Sequence, residues 1–276
     1  DVPAFGLGAS LVFGVGLGCW ALGERRWRLG GLLCPGALAA ALLLPHVLPE
    51  PGLRITFLSV GQGDAMVLSS RGHHALLDGG GVPGGADPGT RVVVPFLKAA
   101  RIERLDLAVL SHPHPDHALG LVSALQHVPT QRLWLPAGST DGPLSRQLIA
   151  AAAPALVEEV QRGQAAFTLG EATLEVLGPP EDRELLEGVN DTSVVLRVRH
   201  GDVTVLLPGD VEAAGEEALL EAGGLGPVTV LKAPHHGSRT SSSEALLAAL
   251  RPGHPRTPRG AGARGRLGAG GGHDPT

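Results

Sequence analysis

The stretch Ser111-His112-Pro113-His114-Pro115-Asp116-His117 directly follows the apolar run Leu105–Leu110 in a chain of 276 residues. A short apolar run of this kind indicates a buried strand, and the stretch places four possible metal ligands at its end. Imidazole and carboxylate groups together suit Zn²⁺, Mn²⁺ or Fe²⁺. The two histidines at spacing two can bind one cation, and the aspartate with its adjacent histidine can bind a second. The stretch therefore predicts a metal centre at the end of a core strand.

Two later strand ends carry residues of the same kind. Leu206-Leu207-Pro208-Gly209-Asp210 ends in a carboxylate, and Lys232-Ala233-Pro234-His235-His236-Gly237-Ser238 carries a histidine pair. Alone, Asp210 would be an ordinary turn residue. Beside the first motif it is the natural bridging ligand for two cations about 3.5–4 Å apart. We assign His235 to the second metal and expect His236 to be a ligand or a phosphate contact.

The remaining pattern alternates strands with helices over residues 51–251. Strand runs followed by helices, twice over, predict an α/β fold with helices outside two packed sheets. About 200 residues are enough for one such domain. The expected strands are Leu53–Val60, Ala65–Ser69, Ala75–Leu77, Leu105–Leu110, Arg132–Leu135, Ala155–Val160, Thr173–Leu177, Ser193–Arg199, Val203–Leu207 and Val228–Lys232. The expected helices are Val92–Ala100, Leu119–His127, Leu144–Ala152, Glu212–Glu221 and Glu244–Leu250.

The two ends of the chain differ from this domain. Residues 2–23 and 29–49 contain no charged side chain, and each run reaches the roughly 20 residues that a membrane helix needs. The basic turn Glu24–Arg28 between them favours a cytoplasmic position, which would place residues 51–251 on the extracytoplasmic side. A secretory signal or a buried core helix is the alternative for residues 1–50. Residues 252–276 are rich in Gly, Arg and Pro, and we expect them to be disordered.

Taken together, these motifs resemble the metallo-β-lactamase superfamily. A further combination of motifs resembles one family more specifically. Ser59–Ala65 (SVGQGDA), Leu77–Gly80 (LDGG), Asn190–Leu196 (NDTSVVL) and Lys232–Ser238 (KAPHHGS) resemble the C-terminal domain of the ComEC family, membrane channels for DNA uptake. The resemblance implies a four-layer αββα metallo-β-lactamase sandwich, preceded by the last hairpin of a membrane channel. It also implies an extracytoplasmic nuclease acting on incoming DNA. Since the chain starts at Asp1, we expect it to be a fragment or a processed piece.

The resemblance and the strand-end pattern together give the candidate site. We expect two divalent metal ions, Zn or Mn, with Asp116 and Asp210 orienting the attacking water. The candidate metal ligands are His112, His114, Asp116, His117, Asp210 and His235. Residues expected to support these ligands or to contact substrate are Asp64, Asp78, Asn190, His236 and Ser238.

The sequence departs from the superfamily in two places. Many members have another histidine on the strand that here carries Asn190–Ser193, so the first metal would be short of a ligand. The family also continues after the last helix with another strand, whereas this chain continues with its Gly/Arg/Pro-rich tail. We interpret the tail as a frame change or a truncation.

The predicted reaction is hydrolysis of a phosphodiester in DNA, with single-stranded DNA, the membrane and other segments of a competence channel as partners. Residues 51–251 hold 15 Lys+Arg and 23 Asp+Glu, a net charge of 15 − 23 = −8, whereas nucleic-acid binders usually show a basic face. Hydrolysis of a small ester or lactone by the same metal pair therefore stays open, because fold does not fix substrate. A catalytically silent structural module of a DNA channel is the other alternative.

Overall fold

The computed structural model describes residues 52–183, 186 and 188–251. The predicted membrane hairpin over residues 1–50 and the predicted disordered tail over residues 252–276 lie outside this range. Within the described residues, no helix is both long enough and apolar enough to cross a bilayer.

The described strands form two sheets. The strands are β1 (Leu53–Phe57), β2 (Met66–Ser70), β3 (His73–Leu77), β4 (Leu107–Val109), β5 (Arg132–Pro136), β6 (Leu156–Val160), β7 (Phe167–Leu169), β8 (Ala172–Gly178), β9 (Val195–His200), β10 (Val203–Leu207) and β11 (Val230–Leu231). The first sheet has the order β1-β2-β3-β4-β5-β6, and the second has the order β11-β10-β9-β8-β7. Strands β3 to β6 run parallel to one another, and β10 runs parallel to β11. The carboxyl ends of the parallel strands in each sheet therefore lie at one edge.

Five α-helices in the described part of the chain cover the outer faces of the sheets. They are α1 (Val94–Ala99), α2 (Pro115–His127), α3 (Pro143–Ala152), α4 (Ala213–Glu221) and α5 (Glu244–Leu250). Residues from α1, α2 and α3 pack on the outer face of the first sheet, and residues from α4 and α5 pack on the second. This is the four-layer α/β arrangement that the sequence predicts.

The core follows the two-residue period of the strands. In β3 and β4, Leu77 and Leu107 point between the sheets, while Leu76 and Ala108 point towards the helices. All four are at most 4% exposed. Because both faces of this sheet are covered, its central strands are continuously apolar rather than alternating.

The structure differs from the predicted elements at the site. Helix α2 begins at Pro115, where the sequence predicts a start near Leu119. Proline suits the first position of a helix because its missing N–H has no partner there in any case. Asp116 and His117 therefore lie in the first helical turn and not in an irregular loop. Strand β7 was not predicted, since its three residues are too few to show a period.

Two glycines let the loop after β3 pack directly on α2. A Cβ on Gly79 would lie 2.0 Å from the Leu121 nitrogen, and a Cβ on Gly120 would lie 2.0 Å from the Gly79 oxygen. The Gly79 nitrogen donates a hydrogen bond to the His117 oxygen at 2.8 Å. This contact fixes the first turn of α2 against the end of β3.

Truncating a side chain between the sheets should destabilise the chain strongly. Leu174 is fully buried in the inter-sheet core, so Leu174→Ala is expected to cost about 2–5 kcal/mol in free energy of unfolding. Leu156→Ala is the matched control, because Leu156 is 53% exposed, and it should change stability by about 0.5 kcal/mol or less. Urea unfolding followed by circular dichroism measures both. Equal effects of the two substitutions would contradict the assignment of this core.

Candidate metal centre

Side chains from several strand ends meet at one edge of the sandwich. Asp78 follows β3, His112 follows β4, Asp210 follows β10 and Lys232 follows β11. Asp64 joins them from the segment before β2, which runs antiparallel to β3 and so begins at the same edge. The meeting point exists because the parallel strands of each sheet share a direction.

His117 is the buried centre of the cluster. Its Nδ1 donates to Asp78 Oδ2 at 2.9 Å, and its Nε2 donates to Asp210 Oδ2 at 3.1 Å. Its side chain is fully buried. Burial disfavours the imidazolium, but the two carboxylates outweigh burial and raise the pKa of His117 to about 10. Without metal the ring is therefore charged at neutral pH and donates from both nitrogens.

Asp210 connects His117 to the histidine pair. His236 Nε2 donates to Asp210 Oδ2 at 3.1 Å, and the Asp210 backbone nitrogen donates to Ser193 Oγ at 3.2 Å. Burial raises the pKa of a carboxyl, but the hydrogen bonds from His117 and His236 hold the pKa of Asp210 well below its usual value. Among the described residues, the buried Oδ1 atom of Asp210 has no hydrogen-bond partner, so it is open to a cation.

The residues present fit a metal ion. Asp64, His117, Asp210 and His236 each offer one ligand atom, and these four atoms lie within 4.8 Å of one another. Nitrogen and carboxylate donors of this kind suit Zn²⁺ and other divalent transition metals. His117 has its Nδ1 held by a carboxylate, which is the usual arrangement of a ligating histidine.

His112 and His114 form the other side of the cluster. His112 Nε2 lies 3.1 Å from His114 Nδ1, so the two rings converge on one point. Ser111 Oγ lies 3.0 Å from His112 Nδ1 and 3.2 Å from His117 Nδ1. Burial, together with the charge of His117, lowers the pKa of His112 well below its usual value. His112 is thus a neutral imidazole, the form that binds metal.

Asp116 and Lys232 flank the buried groups. Asp116 Oδ2 lies 3.9 Å from His236 Nε2 and 4.0 Å from His117 Nε2, and its side chain is 31% exposed. The Lys232 ammonium forms an ion pair with Asp64 and lies 3.9 Å from Asp210 Oδ1. Burial raises the pKa of Asp64, and Lys232 opposes that effect.

The structure differs from the sequence analysis on the histidine pair. His236, rather than His235, lies against Asp210 and stacks on His117 with ring centroids 5.3 Å apart. His235 points to Glu212, with Nδ1 2.9 Å from Oε1. The two rings diverge because both residues have left-handed backbone angles, with φ of 44° and 52°, and their planes lie at 66°.

Two of the predicted supporting residues lie at the margin. Ser238 Oγ contacts Thr240 Oγ1 at 2.9 Å, within its own loop. Asn190 contributes its backbone oxygen, which accepts from Ser193 Oγ at 2.6 Å. Ser193 in turn holds the Asp210 backbone, so the Asn190–Ser193 segment supports the centre through main-chain contacts.

Sequence reasoning missed several residues that hold the centre in place. Asp191 Oδ1 accepts from the backbone nitrogens of Glu212 and Gly215 at 2.8 and 2.9 Å and so caps the start of α4. Ser111 was not singled out either, and its backbone nitrogen donates to Oδ1 of Asp78, one of the predicted supporting residues, at 2.7 Å. Asp191 and Ser193 lie in the NDTSVVL motif that carries the family resemblance, but the sequence analysis assigned them no role in the site.

The raised pKa of His117 predicts how stability depends on pH in the metal-free chain. The unfolded value is about 6.5 and the folded value is about 10. The charged His117 ring therefore contributes its full share to the free energy of unfolding below about pH 6.5, and this contribution is lost as pH rises towards 10. Asp78→Asn should make this loss smaller, because it removes one of the two charges that favour the imidazolium.

Urea unfolding between pH 6 and 10 in the presence of a chelator measures this dependence. Asp202→Asn is the control, since Asp202 lies in the exposed turn between β9 and β10. An Asp78→Asn variant with the same pH slope as the wild type would show that this ion pair does not set the pKa.

Comparison with known proteins agrees with this geometry. The metallo-beta-lactamase superfamily model matches residues 58–258. ComE operon protein 3 of Bacillus subtilis is 29% identical over 81% of this chain and 30% of its own length. Competence protein ComA of Neisseria gonorrhoeae is 32% identical over 84% of this chain and 30% of its own length. Recombination protein 2 of Haemophilus influenzae is 31% identical over 78% of this chain and 25% of its own length.

The chain thus spans less than a third of the length of these curated relatives. The relatives confirm the resemblance to the ComEC family, and the family model covers the sandwich from β2 onward with every strand end that carries the cluster. This chain belongs to the metallo-beta-lactamase superfamily, in its ComEC-like competence-protein branch.

Proposed function

We propose that this chain is a metal-dependent phosphodiesterase that cleaves DNA. The observation that carries the proposal is Asp210, a buried carboxylate whose Oδ2 lies against both His117 and His236 and whose Oδ1 has no hydrogen-bond partner among the described residues. A shared carboxylate among converging imidazoles is the arrangement that a two-metal hydrolase needs. Membership of the superfamily supports a metal-dependent hydrolase in general.

The residues divide between two cation positions. His112 and His114 would hold one cation, His117 and His236 would hold the other, and Asp210 would reach both. Asp116 and Asp64 lie beside the second position. When bound, the two cations supply Lewis acidity and lower the pKa of water.

The exposure of the side chains around the cations suggests which of them would orient the attacking water. Asp116 is the more exposed of the two carboxylates first assigned to catalysis, at 31% against 3% for Asp210. It can therefore accept a hydrogen bond from the attacking water, while Asp210 stays buried as a ligand. His236 is 26% exposed, and its Nε2 lies 3.9 Å from Asp116 Oδ2, so it would hold the second cation on the same side as Asp116.

DNA is the substrate we favour because two of the relatives are named a competence protein and a recombination protein. The net charge of −8 over residues 51–251 opposes sequence-independent binding of a polyanion. Bound cations would have to attract the phosphates locally. The same charge favours a small neutral ester or lactone as the alternative substrate, and a catalytically silent module of a DNA channel is the remaining alternative.

We also propose that residues 1–50 form a two-helix membrane hairpin ahead of this domain. The support is the length of the two uncharged runs and the basic turn between them. The chain would then be part of a multi-pass protein of the cytoplasmic membrane, with the catalytic domain on the extracytoplasmic side. Its partners would be other segments of a competence channel and incoming single-stranded DNA.

Removing two candidate ligands should abolish the activity. A double variant with His114→Ala and Asp116→Ala removes one group from each cation position, so metal-dependent hydrolysis of single-stranded DNA should fall by at least about 10³-fold, as expected when transition-state charge stabilisation is lost. His127→Ala is the matched control, since His127 is exposed at the end of α2 and its Nδ1 contacts the Ser123 oxygen within the same helix. Hydrolysis is followed with Mn²⁺ or Zn²⁺ supplied, alongside a lactone and a small ester.

The outcomes separate the candidate functions. Cleavage of DNA that the double variant loses and His127→Ala retains supports the nuclease. If the chain binds metal but hydrolyses only the ester or the lactone, then that small molecule, and not DNA, is the substrate class. A folded wild-type chain that binds no metal would make it a silent module.

A further inference from the structure

Lys232 brings a positive charge of the protein itself into the centre. Its side chain is only 8% exposed, and a lysine is almost never buried to this extent unless its charge is paired. The ammonium forms an ion pair with Asp64 Oδ2 and lies 3.9 Å from Asp210 Oδ1. It also donates to the Gly209 oxygen at 3.4 Å. The charge of Lys232 is therefore directed at the carboxylates of the centre.

The backbone of the second sheet fixes Lys232 at this edge. The residue directly follows β11, which runs parallel to β10. Its backbone nitrogen donates to the Leu206 oxygen at 3.0 Å, which continues the pairing of the two strands. Lys232 thus leaves the sheet beside Asp210, which follows β10. Its place next to the carboxylates is a consequence of the sheet and not of a mobile loop.

Lys232 closes a ring in which basic and acidic side chains alternate. His236 joins one oxygen of each carboxylate, with Nε2 3.1 Å from Asp210 Oδ2 and Nδ1 3.7 Å from Asp64 Oδ1. Lys232 joins the other oxygen of each, Asp64 Oδ2 and Asp210 Oδ1. Two largely buried carboxylates without a cation between them would repel each other. The ring therefore keeps them together in the absence of a metal ion.

The ring overlaps the group of atoms that can hold a metal ion. Three of its four members, Asp64, Asp210 and His236, belong to that group, and His117 is the fourth ligand. A cation bound to Asp210 Oδ1 at about 2.1 Å would lie no more than about 6 Å from the Lys232 ammonium. Like charges repel strongly at such a distance in a site that excludes water. The ammonium and a metal ion therefore compete for the same two carboxylates.

We propose that Lys232 is a built-in counter-ion that holds Asp64 and Asp210 together before metal binds and competes with the metal ion at the cation position of His117 and His236. The inference rests on that proposed cation position, but not on the choice of DNA as the substrate. When the metal ion binds, it displaces the ammonium from Asp64. Lys232 is thus a positioning residue that stabilises the metal-free centre and lowers its affinity for metal.

Replacing Lys232 by methionine should change stability and metal affinity in opposite directions. Lys232→Met keeps the approximate length of the side chain and removes its charge. The metal-free variant contains two buried carboxylates without their cation, so its melting temperature should fall by roughly 5–15 °C. Its affinity for Zn²⁺ should rise by at least about 10-fold, because the competing charge is gone. Calorimetry of the full chain measures both quantities, and elemental analysis counts the bound ions.

Two further variants separate competition from general damage. Lys98→Met makes the same change at the exposed lysine of α1 and should alter neither the melting temperature nor the affinity. Lys232→Arg retains a positive charge and should therefore retain the low affinity of the wild type. A lysine that only supports the fold would give a Lys232→Met variant with a lower melting temperature and a lower affinity.

The wild-type chain provides a second test that does not depend on the folding of a variant. Lys98 and Lys232 are the two lysines of the sequence, so lysine labelled with ¹⁵N gives two ammonium signals in a nuclear magnetic resonance spectrum. The hydrogens of the Lys232 ammonium should exchange slowly with water in the metal-free chain, because the ion pair and burial protect them. They should exchange faster once Zn²⁺ is bound, whereas those of Lys98 should not change.

The outcomes distinguish this inference from the nuclease proposal. Tighter Zn²⁺ binding by Lys232→Met, with release of the ammonium in the wild type, supports the inference whether or not DNA is cleaved. Equal or weaker Zn²⁺ binding by a folded Lys232→Met chain would overturn it and leave the nuclease proposal intact, as would an ammonium that stays protected at saturating Zn²⁺. If neither the wild type nor Lys232→Met binds Zn²⁺, both proposals fail.

Discussion

The buried His117 ring, hydrogen-bonded to carboxylates on both sides, is the interaction on which the rest of the centre depends. A charged group with no exposed surface is tolerated only when it is paired, and Asp78 and Asp210 provide the pairing. Asp78 belongs to the first sheet and Asp210 to the second. One imidazole therefore joins the two sheets at the edge where their strands end.

The helix that carries His117 must begin close to β3 for this contact to form. The two glycines at positions 79 and 120 make that possible, since a Cβ at either would collide with backbone atoms 2.0 Å away. Pro115 starts the helix with a fixed φ, so that Asp116 and His117 leave the first turn towards the centre. The stretch that carries Asp116 and His117 therefore serves the packing of α2 against β3 as well as offering metal ligands.

The segment that precedes β9 supports the centre through side chains that accept hydrogen bonds from backbone nitrogens. Ser193 holds the Asp210 nitrogen, and Asp191 holds the start of α4, including the backbone of Glu212. The segment before β9 contains no histidine, yet its Ser193 and Asp191 side chains hold the backbone nitrogens of Asp210 and Glu212. Its polar residues therefore have a role that differs from that of a ligand.

Local pattern was enough to predict much of this protein. The apolar runs gave most strands and helices, because a strand buried on both faces and an amphipathic helix each have a recognisable period. The histidine and aspartate motifs at strand ends indicated a metal centre. The start of α2 and strand β7 were misjudged or missed, because caps and three-residue strands carry too little periodic signal.

The sequence by itself determined the fold class and the strand ends at which histidine and carboxylate side chains cluster, since both follow from residue type and spacing along the chain. Only the tertiary structure decided which histidine of the pair faces Asp210 and which faces Glu212. That choice depends on two left-handed backbone conformations and on contacts between residues 17 to 93 positions apart. No local pattern encodes such contacts, because they arise only when the two sheets pack and bring their strand ends together.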